Sequence, residues 1–263
     1  MSTIKLITVS DDRNGRKGGL YEATQWKIAQ LLDGWISQGI WTIDMIINCD
    51  PLMQNIDSDK NGRVYKPWVI REALSVMREG DFLIYNDCSP EMWPDEIDLS
   101  KYDLEVIKRL TEESNGLLVG FVKWSDKHLE PGDLGIHTHR WFSLDNWLNY
   151  YCDDGYRDSF LCASGMICIK KSAATFAIVN EWLDYNRMAK FSCRNISEHE
   201  DSYFDPGTMG KLGNRHDQSI LSLILNTHDW NYCDIVYNDL NPYNFLNFCL
   251  PGHDYKFINS NTK

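Results

Sequence analysis

Apolar and polar positions along this chain alternate between two periods, and the switches between them lay out its elements. Ile4 to Val9 is a short β-rich run that leads into the polar loop Ser10 to Gly19, which holds three glycines and three basic residues. Ile28, Leu31, Leu32, Trp35 and Ile36 then fall at i, i+3, i+4, i+7 and i+8, one face of a helix that Gly39 is expected to stop. Trp41 to Asn48 reads as a second strand. After the loop Cys49 to Tyr65, Pro67 suits the first turn of a helix, where its missing N–H has no partner to lose. Val69, Ile70, Ala73, Leu74 and Met77 form the apolar face of that helix, and Gly80 marks its end. Phe82 to Tyr85 is the third strand.

Strand, helix, strand, helix, strand predicts an α/β fold with a mixed, mainly parallel sheet and helices on both faces. Ligands of such sheets sit outside the carboxyl ends of the strands. Leu117 to Trp124 and Met166 to Lys170 read as further strands, and Ala173 to Met188 and Ser219 to Asn226 as helices. Ser125 to Arg140 and Phe191 to Arg215 are irregular and rich in Gly, Asp, His and Ser. Loops of that length in a compact domain are usually functional lids or disordered. A chain of 263 residues with this alternation is expected to build one domain, residues 1–263, around a single core.

Composition narrows the partners. The chain is 43% hydrophobic, with 10 Trp, 13 Tyr and 10 Phe, ample for a packed core. Lys and Arg number 26 against 38 Asp and Glu, a formal charge of -12 that repels phosphate backbones and anionic lipid, so nucleic acid is not an expected partner. No apolar run has the length to cross a bilayer, and Met1 to Ser10 lacks the continuous apolar core of a signal peptide. Eight cysteines form no C-x-x-C pair and mostly sit within apolar stretches, the usage of a reducing compartment. The expectation is a soluble, cytoplasmic protein, in which the sequon at Asn195 carries no weight.

Two runs concentrate chemistry. Asn86-Asp87-Cys88-Ser89 follows directly on the third strand and sets the Asp87 carboxylate at its carboxyl end, where a hard cation and a diphosphate would sit. A plain Asx turn into Pro90 would explain the same residues. Arg215-His216-Asp217-Gln218-Ser219 opens a helix, so that Asp217 is either a cap stabilised by the helix dipole or a general base with His216 and Gln218 as positioning partners.

Other constellations are weaker. Asp57 to Gly62 matches the first half of an EF-hand loop, but position 12 is Trp68 where a bidentate Glu is needed. His137 and His139 could serve a zinc hydrolase if a third ligand joined them. The basic loop Arg13 to Gly19 fits neither common phosphate-binding glycine motif, yet Arg13 and Lys17 could still reach a nucleotide or diphosphate. Trp124, Trp141, Trp147 and Tyr150 are core residues or a stacking face for a sugar.

Lys66-Pro67-Trp68-Val69-Ile70, Gly80 to Asp87, and Arg215 to Ser222 resemble nucleotide-sugar-dependent glycosyltransferases of the GT-A fold. The closest likeness is to the small single-domain enzymes of capsule, lipopolysaccharide or viral glycan synthesis. Leu161 to Ile167 is similar to that family's small-residue strand beside the acceptor site. The resemblance implies a Rossmann-like GT-A sheet, with a nucleotide-sugar half over residues 1–124 and an acceptor half with long loops over 125–263. It implies transfer of a sugar from a UDP- or GDP-linked donor to a glycan or lipid-linked acceptor, with Mn²⁺ or Mg²⁺ held at an acidic D-x-D motif. Here that motif is Asn86-Asp87-Cys88-Ser89, with one carboxylate. Asp87 becomes the metal or ribose ligand, Lys66, Arg13 and Lys17 the donor contacts, and His253 a second metal ligand. Asp217 becomes the catalytic base or the acid that positions the acceptor, with His216, Gln218 and Trp141 on the acceptor side. The alternatives are a metal-dependent hydrolase centred on His137 and His139 and a carbohydrate-binding relative without catalysis.

Overall fold

A strand covered by helices on both faces is buried at successive positions, and Leu6 to Ser10 are buried in this way. The computed structural model describes residues 2–10, 19–50, 53, 64–121, 162–187, 216–228, 230–233 and 244–259. In it β1 (Ile4–Ser10) sends Ile7 and Val9 to one face of the sheet and Leu6 to the other, all buried. The described strands that follow are β2 (Ser37–Thr42), β3 (Phe82–Asn86), β4 (Leu117–Phe121), β5 (Cys162–Lys170), β6 (Asn231–Cys233) and β7 (Phe257–Asn259). They form one sheet in the order β2-β1-β3-β5-β4-β6-β7. β1 pairs in parallel with β2 and β3, and β4 in parallel with β6, whereas β5 and β7 run against their neighbours. The sheet is mixed, with five described strands pointing one way.

Six α-helices are described around it: α1 (Leu20–Leu31), α2 (Ile43–Cys49), α3 (Tyr65–Ser75), α4 (Leu104–Glu113), α5 (Ala173–Arg187) and α6 (His216–Thr227). On one face Ile7, Leu83 and Ile167 pack with Ile46 of α2, Val69 of α3, Trp182 of α5 and Ile224 of α6. On the other, Leu6, Ile84 and Leu118 pack with Ile28 of α1, Leu110 of α4 and the 3-10 turn Phe245–Phe248. None of the described helices is long and apolar enough to cross a membrane.

Expectations over residues 28–80 are corrected in three places. The first helix ends at Leu31, and Gly34, at φ +73°, takes the left-handed turn that a side chain would resist. Gly39 is no helix stop: it lies within β2 opposite Ile7, where an added Cβ would stand 3.2 Å from Ile7 Cγ2 and 3.1 Å from Lys5 Cε. The run read as a strand, Trp41 to Asn48, leaves the sheet after Thr42 and turns helical. The Thr42 hydroxyl accepts the Met45 N–H at 3.2 Å as the N-cap, and Ile43 and Ile46 bury one helical face. α3 stops at Ser75, short of Gly80. α4, which hydrophobic periodicity had not singled out, is capped by Asp103, whose side chain accepts the Glu105 N–H at 2.9 Å.

Gln25 of α1 ties the first two strands to their covering helix. Its buried amide nitrogen donates to Thr8 O at 3.0 Å, Thr8 Oγ1 at 2.9 Å and Trp41 O at 3.0 Å. The chain connection reverses direction between β1 and β3, since β2 follows β1 on one side and β3 lies on the other. That reversal leaves a crevice at the carboxyl ends of β1 and β3.

Candidate functional site

Asp87 is the first residue after β3, at the rim of that crevice. Its backbone is fully engaged: the N–H donates to Gly165 O at 2.8 Å, and the carbonyl accepts Trp93 Nε1 and Asn86 Nδ2, each at 3.0 Å. Asn86 also accepts the Phe245 N–H at 2.7 Å through Oδ1, which fastens the chain's last described segment behind the strand end. Cys88 Sγ donates to Val9 O at 3.0 Å and so links the ends of β3 and β1. With the backbone fixed at this many points, the direction of the Asp87 side chain is set by the fold.

Tyr85 and Asp87 are two residues apart on an extended segment and therefore share a face. The Tyr85 hydroxyl donates to Asp87 Oδ1 at 2.7 Å. Burial, and next the Asp87 charge, push this phenol well above its ordinary 10.0, so it stays a proton donor. Asp87 Oδ2 accepts no hydrogen bond among the described residues, and the side chain is 19% exposed.

Lys66 reaches the same carboxylate from the first turn of α3. That helix end is unfavourable for a cation, and the ammonium is 0% exposed, so carboxylate partners must account for its burial. Nζ donates to Ser164 O at 2.9 Å and lies 3.1 Å from Asp217 Oδ2, 3.4 Å from Asp87 Oδ1 and 3.4 Å from Ser164 Oγ. The Tyr85 ring centroid is 5.2 Å from it. Asp217 stands in the first turn of α6, the helix end that favours an anion. Its carboxylate is 2% exposed and accepts the Ser164 hydroxyl at 3.0 Å, while its carbonyl accepts Trp182 Nε1 of α5 at 2.9 Å.

An irregularity in β5 brings Ser164 and Gly165 to this point. β4 pairs Val119 with Ile167 and then Gly120 with Ala163, so residues 164–166 of β5 have no β4 partner. Such irregularities re-aim side chains and cluster beside functional sites. The next residues outward join β5 to α6: the Cys162 N–H donates to Ser222 Oγ at 2.8 Å, and Ser222 Oγ donates to Cys162 Sγ at 3.2 Å. Burial pushes the Cys162 thiol up to about 12, which makes it an inert packing group.

Three residues singled out from the sequence, Lys66, Asp87 and Asp217, therefore meet in one cluster with two carboxylates and one ammonium. His216 and Gln218 flank Asp217 on α6, but their side chains are outside the described residues, as are Arg13, Lys17, Trp141, His137, His139 and the run Asp57 to Gly62. His253 is exposed and sits edge-on to the Tyr255 ring, with 4.6 Å between centroids. Among the described residues no group of three or more His, Cys, Asp or Glu side chains is placed to hold a metal ion. The free oxygen of Asp87 fits one ligand position of a hard cation whose other positions are filled by phosphate oxygens and water.

Sequence reasoning gave no individual role to Tyr85, Ser164 or Gly165, the last two entering only as part of the run Leu161 to Ile167. The Tyr-x-Asp spacing at a strand end was a usable signal for the first. The other two depend on strand register, which no local pattern encodes. Compared with known proteins, the chain matches no family model and no curated protein.

Proposed function

We propose that the chain is a nucleotide-sugar-dependent glycosyltransferase of the GT-A type, transferring a sugar from a UDP- or GDP-linked donor to a glycan or lipid-linked acceptor. One observation carries the reading: Asp87 stands at the carboxyl end of β3, beside the reversal between β1 and β3, with Oδ1 held by Tyr85 and Lys66 and Oδ2 open. A carboxylate with one open oxygen in that crevice suits a ribose or sugar hydroxyl, or a divalent cation shared with the donor diphosphate. When bound, Mn²⁺ or Mg²⁺ supplies neutralisation of the charge that grows on the leaving diphosphate.

The chain's own residues divide around that point. Arg13 and Lys17 belong to the segment that joins β1 to α1, and in this reading they meet the donor phosphates. His216, Gln218 and Trp141 serve the acceptor. Asp217 is 2% exposed and engaged by Lys66 and Ser164, which argues against direct proton abstraction and for a structural part in the cluster.

Thermal stabilisation by UDP or GDP, with and without Mn²⁺, tests the reading. Ligand at a hundred times its Kd adds about 2.7 kcal/mol to stability. Asp87→Asn should keep the fold and abolish turnover of the nucleotide sugar. Full turnover in that variant, or no nucleotide-dependent shift in the parent chain, sinks the proposal. A shift with zinc alone would point to a hydrolase centred on His137 and His139, and a shift with glycan alone to a binding protein.

A further inference from the structure

The buried Lys66 ammonium serves two carboxylates of unequal exposure, and we infer that their labour is divided: Asp217 anchors Lys66 as its structural counter-ion, while Lys66, a positioning residue, fixes Asp87 so that Oδ2 faces the ligand. For the identity of that ligand the inference rests on the reading above.

Distances and burial carry it. The ammonium donates to Ser164 O at 2.9 Å and Ser164 Oγ at 3.4 Å, and it forms ion pairs with Asp217 Oδ2 at 3.1 Å and Asp87 Oδ1 at 3.4 Å. Lys66 and Asp217 are both out of water, so removing either leaves a buried charge without a partner. Asp217 is further secured by the Ser164 hydroxyl and by its place at the start of α6. Asp87 is in a different position. At 19% exposure it keeps contact with solvent and has the Tyr85 hydroxyl as a closer donor, so its ionised form does not depend on Lys66 alone. What Lys66 adds to Asp87 is direction: the Tyr85 hydroxyl donates to Oδ1 from β3, and the Lys66 ammonium, an ion pair 3.4 Å away on α3, holds the same oxygen in place. The same geometry argues against a direct diphosphate contact by Lys66. The ammonium is fully buried and would have to abandon both carboxylates to reach it.

The experiment compares four variants of the full chain: Lys66→Met, Asp217→Asn, the double variant of these two, and Asp87→Asn. Lys66→Met and Asp217→Asn should each lower Tm by on the order of 10 °C, because each strands a buried charge. The double variant and Asp87→Asn should stay within about 3 °C of the parent. With stability restored, the double variant should still lose turnover of UDP- or GDP-sugar by at least about 100-fold, because Asp87 is no longer held.

Turnover at the parent level in the double variant would overturn the inference, since Lys66 would then only offset Asp217. A loss of Tm in Asp87→Asn as large as in Asp217→Asn would overturn it as well, by reversing the two roles. Should the parent chain show no nucleotide binding, the glycosyltransferase reading fails by itself. The four Tm values still decide which carboxylate anchors Lys66.

Discussion

Gly165 is the position at which one added carbon tests the geometry of Asp87. A Cβ there would lie 3.2 Å from Asp87 Oδ2 and 3.3 Å from Met92 Cε. The backbone of Gly165 is outside the left-handed region, so alanine can adopt it and the cost is one of contact alone. At those separations the neighbours must give by a few tenths of an ångström. Met92 has a flexible end and can move, but Oδ1 of Asp87 is held by Tyr85 and Lys66, so relief requires turning the carboxylate about that fixed oxygen. Crowding of this kind typically costs about 1 to 3 kcal/mol, and the stiffer unfolded chain of alanine returns about 0.4 to 1 kcal/mol. A net loss of about 1 to 2 kcal/mol in urea unfolding is therefore expected for Gly165→Ala. Turnover should suffer more than stability, because small misplacements of a reacting or orienting group cost up to about 100-fold. The assay pairs urea denaturation with nucleotide-sugar turnover at saturating donor. Parent-level turnover together with the expected loss of stability would refute the idea that the orientation of Asp87 matters.

Two further outcomes follow from groups away from the site. The Thr3 N–H, at 2.7 Å, holds the Asp81 carboxyl below its ordinary 3.8 against the opposing effect of burial, with Arg78 assisting. A depressed carboxyl contributes stability that is present above 3.8 and is lost as pH falls through the folded value. Asp81→Asn should therefore be less stable than the parent at neutral pH and converge with it in acid, as followed by urea midpoints from pH 7 down to pH 2; a constant gap over that range would contradict the sign. Of the six described cysteines Cys49 alone is exposed, and burial pushes both Cys162 and Cys168 up to about 12. Thiol labelling of the native chain, located by mass spectrometry, should mark Cys49 and leave Cys162 and Cys168 until denaturant is added; rapid native labelling of Cys162 would contradict its packing between β5 and α6.

Much of the fold was readable wherever one element was long enough to show its own period. β1, β3, α3 and α5 follow from continuous apolar runs or helical spacing, and Pro67 in the first turn of α3 agrees with its geometry. The stretch Ser37 to Cys49 was misread because its β-branched isoleucines favour strand locally. The Thr42 cap and the core beneath Ile43 and Ile46 override that preference after six residues. Asp87 was legible because it ends a strand. The meeting of Lys66 with Asp217 was not, since their contact requires β5 to lie between β3 and β4, and that order is a property of the whole sheet. Gly165 reads locally as one small residue among several, and its role appears only when Asp87 is placed opposite it.

The order in which the chain is made bears on the Lys66 cluster. Its parts come from α3, the end of β3, the irregular part of β5 and the first turn of α6, so the last of them leaves the ribosome well after the first. Synthesis proceeds at about 5 to 20 residues per second, and contacts between distant segments are the slow ones to form. A nascent chain that has not yet released Asp217 would have to desolvate Lys66 without its buried counter-ion, so α3 gains by staying loosely docked until α6 arrives. On this ground α3 is expected to settle against the sheet only when the C-terminal half arrives. Chains truncated before α6 should bind hydrophobic dyes and be cut readily by protease near Lys66.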